Sequence, residues 1–289
     1  MVDEHVATLR PAAPADADEC GRICYEAFHA IAAAHGFAPD FPSIEFAQLV
    51  LNMMLGRANV TGVVAERDGR IAGSGFFSDG GAIAGVGPIT VDPAAQDGSI
   101  GRQVMQRILE LCAERDFVGV RLVQAAYHCR SMALYAKLGF VVREPLVCLQ
   151  GMPLGITLPG FAVRPATHAD LEACNAVCFR VHGHVRQTEL LEAMAQGSAT
   201  LVARQGRVTG YLTALAFFGH GVGETTLDMQ ALIGAASFIL DPGFFLPSRN
   251  AELFQWCLAH GLRVTQPATL MTLGLYAEPV GTYLPSVMY

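Results

Sequence analysis

A glycine-bearing turn between an apolar strand and an amphipathic helix carries the clearest chemical signal in the sequence. Residues 96–102 read QDGSIGR and follow the apolar segment 82–91. A turn of this kind at a helix N-terminus directs several backbone N–H groups at one point, with the positive end of the helix dipole behind them, which suits a pyrophosphate. Gly98 and Gly101 allow close backbone approach, and Arg102 can add a charge-assisted contact. The turn alone is weak evidence, because it is neither a Walker loop nor a full GxGxxG dinucleotide fingerprint.

The turn and a segment thirty residues later together resemble the signature of the GNAT acetyltransferases. Those proteins have Gln/Arg-x-x-Gly-x-Gly/Ala after a strand, followed by Asn-x-x-Ala/Ser-x-x-x-Tyr-x-Lys-x-Gly-Phe. Here the second piece is HCRSMALYAKLGF at 128–140. The residues that match the two pieces are Gln96, Ser99 and Gly101, and then His128, Ser131, Tyr135, Lys137, Gly139 and Phe140.

Two positions depart from that signature. Ser99 stands where the first glycine is usual, with the glycine moved one place to Gly98, and His128 stands where asparagine is usual. The loop is therefore expected to be shifted, although it keeps a glycine. The resemblance covers most of residues 8–150.

The resemblance implies that acetyl-CoA, or a close acyl-CoA, lies between two splayed parallel strands, residues 89–91 and 122–125. Backbone groups of Ile89 and Val91 would pair with the pantetheine amides, and amides of residues 97–102 would hold the pyrophosphate. The cofactor-binding residues expected on this basis are Ile89, Thr90, Val91, Gln96, Asp97, Gly98, Ser99, Ile100, Gly101, Arg102, His128 and Ser131. No metal is expected.

The implied reaction is direct attack of an amine on the thioester, which needs a general acid and a base. Tyr135 is expected to be the acid, because the phenol pKa of about 10 is close enough to that of a thiol to protonate the departing thiolate. The base stays open. The strand 82–91 has no carboxylate, which leaves Asp79, His29, Glu26 or a chain of water molecules.

An internal duplication is indicated by landmarks that recur in the same order. RPAAPAD at 10–16 recurs as RPATHAD at 164–170, and GRIAG at 69–73 recurs as GRVTG at 206–210. We therefore predict a catalytic GNAT domain at 1–150, a linker rich in Gly and Pro at 151–160, and a degenerate GNAT-like domain at 161–289.

The predicted fold is α/β of the α+β type. Each domain is expected to have a mixed, mostly antiparallel sheet flanked by helices, with a splayed parallel strand pair. The second domain is expected to have lost CoA, since Gln-x-x-Gly-x-Gly is absent and Cys257 stands at the position of Tyr135. The alternative is a weaker second CoA site at the glycine-rich segment 219–226.

Composition narrows the possible partners. The 289 residues are 52% hydrophobic and 16% charged, with a net charge of −7 and no basic block, which argues against nucleic acid. No apolar run is long enough for a membrane span, and the N-terminal residues do not resemble a signal peptide. Scattered cysteines favour a reducing cytoplasm over a disulfide framework. A zinc site at Cys174, Cys178, His182 and His184 is disfavoured, because the two cysteines continue a buried helix face.

The sequence therefore predicts a cytoplasmic N-acetyltransferase that uses acetyl-CoA and a small-molecule or peptide amine, as a monomer or homodimer. A CoA-binding sensor or regulatory protein without turnover is the alternative from another functional class.

Overall fold

The computed structural model describes residues 7–96 and 99–289, and the first half of the chain builds most of one sheet. Its elements are β1 (Thr8–Pro11), α1 (Ala17–Ala34), α2 (Ile44–Leu55), β2 (Val60–Arg67), β3 (Arg70–Asp79), β4 (Ile83–Val91), α3 (Ile100–Glu114), β5 (Gly119–Ala125), α4 (Cys129–Lys137) and β6 (Val141–Gln150). The second half has β7 (Ala162–Pro165), α5 (Leu171–His182), α6 (Gln187–Ala195), β8 (Thr200–Arg204), β9 (Arg207–Leu212), β10 (Gly221–Gly223), α7 (Thr226–Ala235), β11 (Phe244–Pro247), α8 (Ala251–Ala259), β12 (Arg263–Gly274) and β13 (Thr282–Leu284).

In each half, the same ion pair links the first strand to the helix that follows it. Arg10 donates from both terminal nitrogens to Asp16, at 2.7 and 2.9 Å, and Arg164 does the same to Asp170, at 2.8 and 2.6 Å. Each aspartate also accepts a backbone N–H three residues earlier in the chain. The carboxylate thus ties the end of the first strand to the start of the following helix in both halves.

The β2–β3 and β8–β9 hairpins also share one turn geometry. Asp68 and Gly69 have φ of 52° and 72°, and Gln205 and Gly206 have φ of 49° and 78°. Two consecutive residues with positive φ match the right-handed twist of the strands that they join. The Asp68-Gly69 and Gln205-Gly206 pairs therefore form equivalent hairpin turns, and the duplication predicted from the sequence is confirmed by the fold.

Strands of the second half complete the sheet of the first. Among the described residues, one sheet has the order β1-β2-β3-β4-β5-β12-β6-β11 and a second has β13-β10-β9-β8-β7. β12 lies between β5 and β6 and is antiparallel to both. The domain limits of 1–150 and 161–289 remain a prediction, and residues 151–160 form neither helix nor strand.

The larger sheet is antiparallel except at β4 and β5. These strands pair in parallel only over Ile83–Gly85 and Gly119–Arg121, and residues 86–91 then diverge from residues 122–125. The predicted α/β fold with a mixed, mostly antiparallel sheet and a splayed parallel pair is therefore confirmed for the larger sheet. A parallel pair was expected in each domain, but the described strands of the smaller sheet pair only antiparallel, because β11 and β12 join the larger sheet instead. Helix α3 covers one face through Ile100, Val104 and Ile108, which are fully buried.

Within the described ranges, none of the helices combines the length and apolar character needed to cross a bilayer.

Candidate active site

A cavity of about 1010 Å³ opens where β4 and β5 diverge, and it extends between the two halves of the chain. Every predicted site residue that the structure describes lines this one cavity. They are Ile89, Thr90, Val91, Gln96, Ser99, Ile100, Gly101, Arg102, His128, Ser131 and Tyr135. The remaining two predicted residues, Asp97 and Gly98, lie outside the described residues. The fold thus brings the two sequence motifs to one place.

The edge of β4 that faces the cavity is set by its pairing with β3. Asp92 donates its N–H to the carbonyl of Ala72 at 2.9 Å, at the end of a ladder that aligns Thr90 with Ser74. Because hydrogen-bonded and open pairs alternate along an antiparallel ladder, Ile89 and Val91 turn their N–H and C=O groups away from β3 and toward β5. These polar groups therefore lie where the diverging strands leave room.

The turn before α3 uses Ser99 in a left-handed conformation. Its φ is 57°, a value that glycine adopts without cost and that other residues adopt rarely. The Ser99 hydroxyl accepts from Gln103 at 3.0 Å and makes no hydrogen bond that caps the helix. The serine therefore takes the backbone role that the resemblance assigns to a glycine. A Cβ on Gly101 would be 3.5 Å from Val91 and 3.7 Å from Leu134, so the protein itself leaves space there.

Tyr135 lies two turns into α4, with its side chain only 7% exposed and its ring 6.1 Å from that of Phe140. Burial raises the pKa of Tyr135 to about 12, and a hydrogen bond with Ser131, one turn earlier, acts in the opposite direction. Burial lowers the pKa of His128, which begins the helix. A phenol with a raised pKa is fully protonated at pH 7, as a general acid must be before it gives up its proton.

The groups that the sequence offered as bases lie outside the residues that line the cavity. Glu26 forms an ion pair with Arg22 at 2.5 Å, and the ring of His29 stacks on Tyr25 at 5.4 Å. Asp79 accepts the N–H of Gly81 at 2.8 Å.

Asp40, which sequence reasoning did not single out, supplies a carboxylate to the cavity wall. Its Oδ1 accepts from the amide of Gln266 on β12 at 2.8 Å, and the Gln266 oxygen accepts from the Tyr127 hydroxyl at 3.2 Å. Burial raises the pKa of Asp40, and the Gln266 hydrogen bond acts in the opposite direction. The available signal was a single acid within a loop of three aromatic residues, at 35–42.

Gln124 is a second cavity residue that the sequence analysis left without a role of its own. It is 8% exposed, and neither polar atom of its amide has a hydrogen-bond partner among the described residues. Leu122, two residues earlier and therefore on the same face of β5, packs with Tyr135 in the core beneath α3 and α4. An unpaired buried amide costs about 1–3 kcal/mol, which a ligand with an amide of its own can recover. The available signal was one polar amide in the strand GVRLVQA.

The corresponding unit of the second half is closed by its own side chains. Thr225 and Asp228 form a capping box at the start of α7, and Asp228 is fully buried. Cys257 is buried on α8, and Cys174 and Cys178 are buried on α5. In the described part of the chain, no three His, Cys, Asp or Glu side chains are placed to hold a metal ion.

Residues 25–140 match the family model described as the acetyltransferase (GNAT) family. The first half of the chain is therefore similar to the GNAT family over these residues. A 93-residue segment is 30% identical to a protein of Azospirillum brasilense named IAA acetyltransferase, and it covers 32% of this chain and 61% of that relative. The chain therefore spans less than two thirds of the length of this relative.

Solved structures similar to the whole chain share its two-domain fold. A structure described as a putative acetyltransferase from Pyrococcus horikoshii superposes with a TM-score of 0.73 and 19% identity, covering 96% of this chain and 92% of that one. A GCN5-related N-acetyltransferase of Sphaerobacter thermophilus gives 0.62 and 17%, covering 96% and 98%. A tandem GNAT protein from the clavulanic acid biosynthesis pathway gives 0.57 and 15%, covering 93% and 98%. At these identities the likeness is one of fold.

Proposed function

We propose that the chain is an N-acetyltransferase that transfers the acetyl group of acetyl-CoA to an amine by direct attack. The observation that supports this most is that one cavity collects the open edge of β4, the N-terminus of α3 and the Tyr135 side chain. The match of residues 25–140 to the GNAT family model supports the same reaction class.

In this proposal each cofactor part has a matching surface. The pyrophosphate lies at the start of α3 with Arg102 beside it, because backbone N–H groups and a guanidinium stabilise phosphate charge. The pantetheine amides lie along Ile89 and Val91, and the unpaired amide of Gln124 gives them a further donor and acceptor. Tyr135 protonates the CoA thiolate.

The second half acts as a structural partner that covers the acceptor side of the cavity. Residues 1–150 would then form the catalytic domain, 151–160 the linker and 161–289 the degenerate domain, which lends β11 and β12 to the larger sheet. The amine is a small molecule or peptide. Seven buried unpaired cysteines support a reducing, cytoplasmic location.

Binding is tested by thermal unfolding with and without acetyl-CoA. Ligand at about 100 times its Kd stabilises the native state by about 2.7 kcal/mol, which corresponds to a shift of several degrees. Gly101→Asp folds, since the Cβ has space, but it loses the shift because a carboxylate enters the pyrophosphate site. No shift with any short acyl-CoA would reject the proposal.

Turnover is tested by the release of CoA thiol with a panel of amines. Tyr135→Phe is expected to lower kcat at least about tenfold while the Kd for acetyl-CoA stays the same, because only proton transfer is lost. Acetyl-CoA binding without acceptor-dependent release would favour the non-catalytic sensor instead.

A further inference from the structure

The acceptor end of the cavity is lined by aromatic and aliphatic side chains from both halves. α1 and the following loop contribute Phe28 and Phe41, and the second half contributes Phe217, Phe245 and Met288. Phe245 is 2% exposed and packs against Phe217, with ring centroids 4.6 Å apart. These apolar walls offer no hydrogen bonds to replace the water around a polar group of a substrate. Covering an apolar group, by contrast, removes its surface from water and stabilises the complex.

Asp40 places a carboxylate in this apolar setting. Its loop is held by the stacking of Phe37 on Tyr127 at 4.3 Å and by the edge contact of Phe41 with Phe28 at 5.7 Å. Gln266, which is 6% exposed, reaches it from β12 next to a bulge in the β12–β6 ladder. Bulges redirect side chains, and the second half thereby supplies the hydrogen-bond donor of the carboxylate.

The other cavity carboxylate differs in its surroundings. Asp241 is exposed and accepts from Gln150 at 2.5 Å, so water screens its charge. The titratable neighbours of Asp40 and of this end of the cavity are His35, Cys24, Tyr127, His128 and Cys148, together with Asp241. Burial raises the pKa of Tyr127 and Cys148 to about 12, so both are neutral at pH 7.

We propose that Asp40 binds the ammonium group of a primary amine with a compact apolar or aromatic body, and that it is the general base of the transfer. This inference rests on the proposed function and adds the acceptor class and the base. A single negative charge among apolar walls matches one ammonium on one apolar group, and it does not match a polycation.

The protons balance as follows. The ammonium gives one proton to the Asp40 carboxylate, which passes it to solvent. The neutral nitrogen attacks the thioester carbon, so a C–N bond forms and the C–S bond breaks. The departing sulfur takes the phenolic proton of Tyr135, and the proton that the acylated nitrogen loses restores that phenol. A raised pKa makes Asp40 a better match for the ammonium proton than an ordinary carboxylate.

Asp40→Asn is the direct test, because the amide keeps the size of the side chain and can still accept from Gln266. With 2-phenylethylamine at pH 7.5, kcat/KM is expected to fall by at least about 100-fold, while the Kd for acetyl-CoA stays within twofold. The wild-type profile of kcat/KM should rise with pH through the raised pKa of Asp40, and the variant should lack that limb. Asp79→Asn, outside the cavity, is the matched control and should behave as wild type.

Gln266→Leu tests whether the second half positions the base. Loss of this hydrogen bond is expected to move the acid limb to higher pH, since the Gln266 amide lowers the Asp40 pKa, and to reduce kcat/KM about tenfold. If Gln266 had only a structural role, the variant would lose stability while the acid limb of the kcat/KM profile stayed at the same pH.

The acceptor class is tested with 2-phenylethylamine, hexylamine and spermidine. The two monoamines should exceed spermidine in kcat/KM by at least about tenfold, since burying an apolar side chain contributes about 1.5–3 kcal/mol. Equal or greater use of spermidine overturns the class, and Asp40→Asn within threefold of Asp79→Asn overturns the base.

A failure here is separable from failure of the proposed function. Acetyl-CoA must first raise the melting temperature of the wild type, a response that depends on β4, β5 and α3 and not on Asp40. If no amine is turned over, 2-phenylethylamine should still raise the melting temperature of the CoA-bound wild type and not that of Asp40→Asn. Such a shift without turnover overturns the base, and the absence of both overturns the whole inference.

Discussion

Arg102 occupies the third position of α3, whereas Asp228 occupies the third position of α7. The two helices occupy equivalent places in the duplicated fold, since α3 follows β4 and α7 follows β10. In α7 the carboxylate accepts the N–H and the hydroxyl of Thr225, at 2.9 and 2.7 Å, and the hydroxyl of Thr209 at 2.5 Å. The second half thus places its own carboxylate at the N-terminus of α7. At the N-terminus of α3 the first half has the Arg102 cation and Ser99, whose hydroxyl makes no capping hydrogen bond.

The strands before these helices differ in the same way. β4 is paired with β3, but its residues 86–91 diverge from β5. β10 has only three residues and is paired on both edges, with β9 and with β13. The second half therefore closes the two backbone surfaces that the first half leaves open. If these surfaces bind the cofactor as we propose, closing them removes a ligand site and adds local stability in one structural change, because the same N–H groups serve either purpose.

The largest expected effect comes from giving α3 the charge of α7. Arg102→Asp should weaken acetyl-CoA binding by at least about 100-fold, because a carboxylate replaces a favourable charge beside the pyrophosphate. Titration calorimetry measures the Kd, and Arg102→Gln should lose only about tenfold. Arg102 is exposed, so both variants should unfold as the wild type does. A Kd within threefold for the aspartate variant would remove the contrast between the helices.

The next effect is on stability in the second half. Asp228→Asn leaves the buried hydroxyl of Thr209 and the partly buried donors of Thr225 and Arg204 without their charged partner, which should cost about 2 kcal/mol. Urea unfolding followed by Trp256, the single tryptophan, reports this half. The exposed first-turn residue Glu172 gives the control Glu172→Gln, which should change stability by less than about 0.5 kcal/mol. An equal effect of the two variants would mean that the capping box contributes nothing specific.

Gln124→Leu makes β5 resemble β11, whose sequence FFLP is wholly apolar. The unliganded protein should become more stable by about 1 kcal/mol, because an unpaired buried amide is removed. The affinity for acetyl-CoA should fall about fivefold to tenfold for the same reason. Thermal unfolding without ligand and calorimetry with ligand measure the two changes, and changes of the same sign would contradict the assignment.

The smallest effect concerns the motif that the halves share. The Arg10 and Arg164 guanidinium groups lower the pKa of Asp16 and Asp170. Because these pKa values are depressed, the stabilisation is present above the ordinary aspartate pKa of about 3.9 and disappears as pH falls through the lower folded value. Asp16→Asn and Asp170→Asn should each cost less than about 1 kcal/mol at pH 7, since the arginines are partly exposed. The difference in urea midpoint from the wild type should shrink progressively as pH falls below about 4, and a constant difference would mean that charge is not the cause.

Local patterns predicted most of the first half. Three of its features depend only on neighbours in sequence. They are the Asp68-Gly69 turn, the proline and aspartate after β1, and the strand–turn–helix unit at 96–102. Helix α2 begins after Ser43, whose hydroxyl accepts the N–H of Phe46 at 3.2 Å. Their backbone requirements are met within a few residues, so residue type alone reveals them.

Local patterns could not predict Asp40 as the base candidate or the position of β12 between β5 and β6. Asp40 and Gln266 are 226 positions apart, and neither has a local motif. β12 reads as an ordinary apolar strand, and only the completed sheet shows that it lies between β5 and β6.

The sequence by itself predicted the proposed cofactor surface and indicated the duplication, because phosphate recognition by backbone groups needs glycine, a helix start and a fixed spacing. Only the tertiary structure showed which carboxylate lines the cavity beside apolar walls and which half closes its own helix N-terminus. Those outcomes depend on burial and on contacts between distant residues, which set the pKa of Asp40 and bring apolar walls from both halves around it.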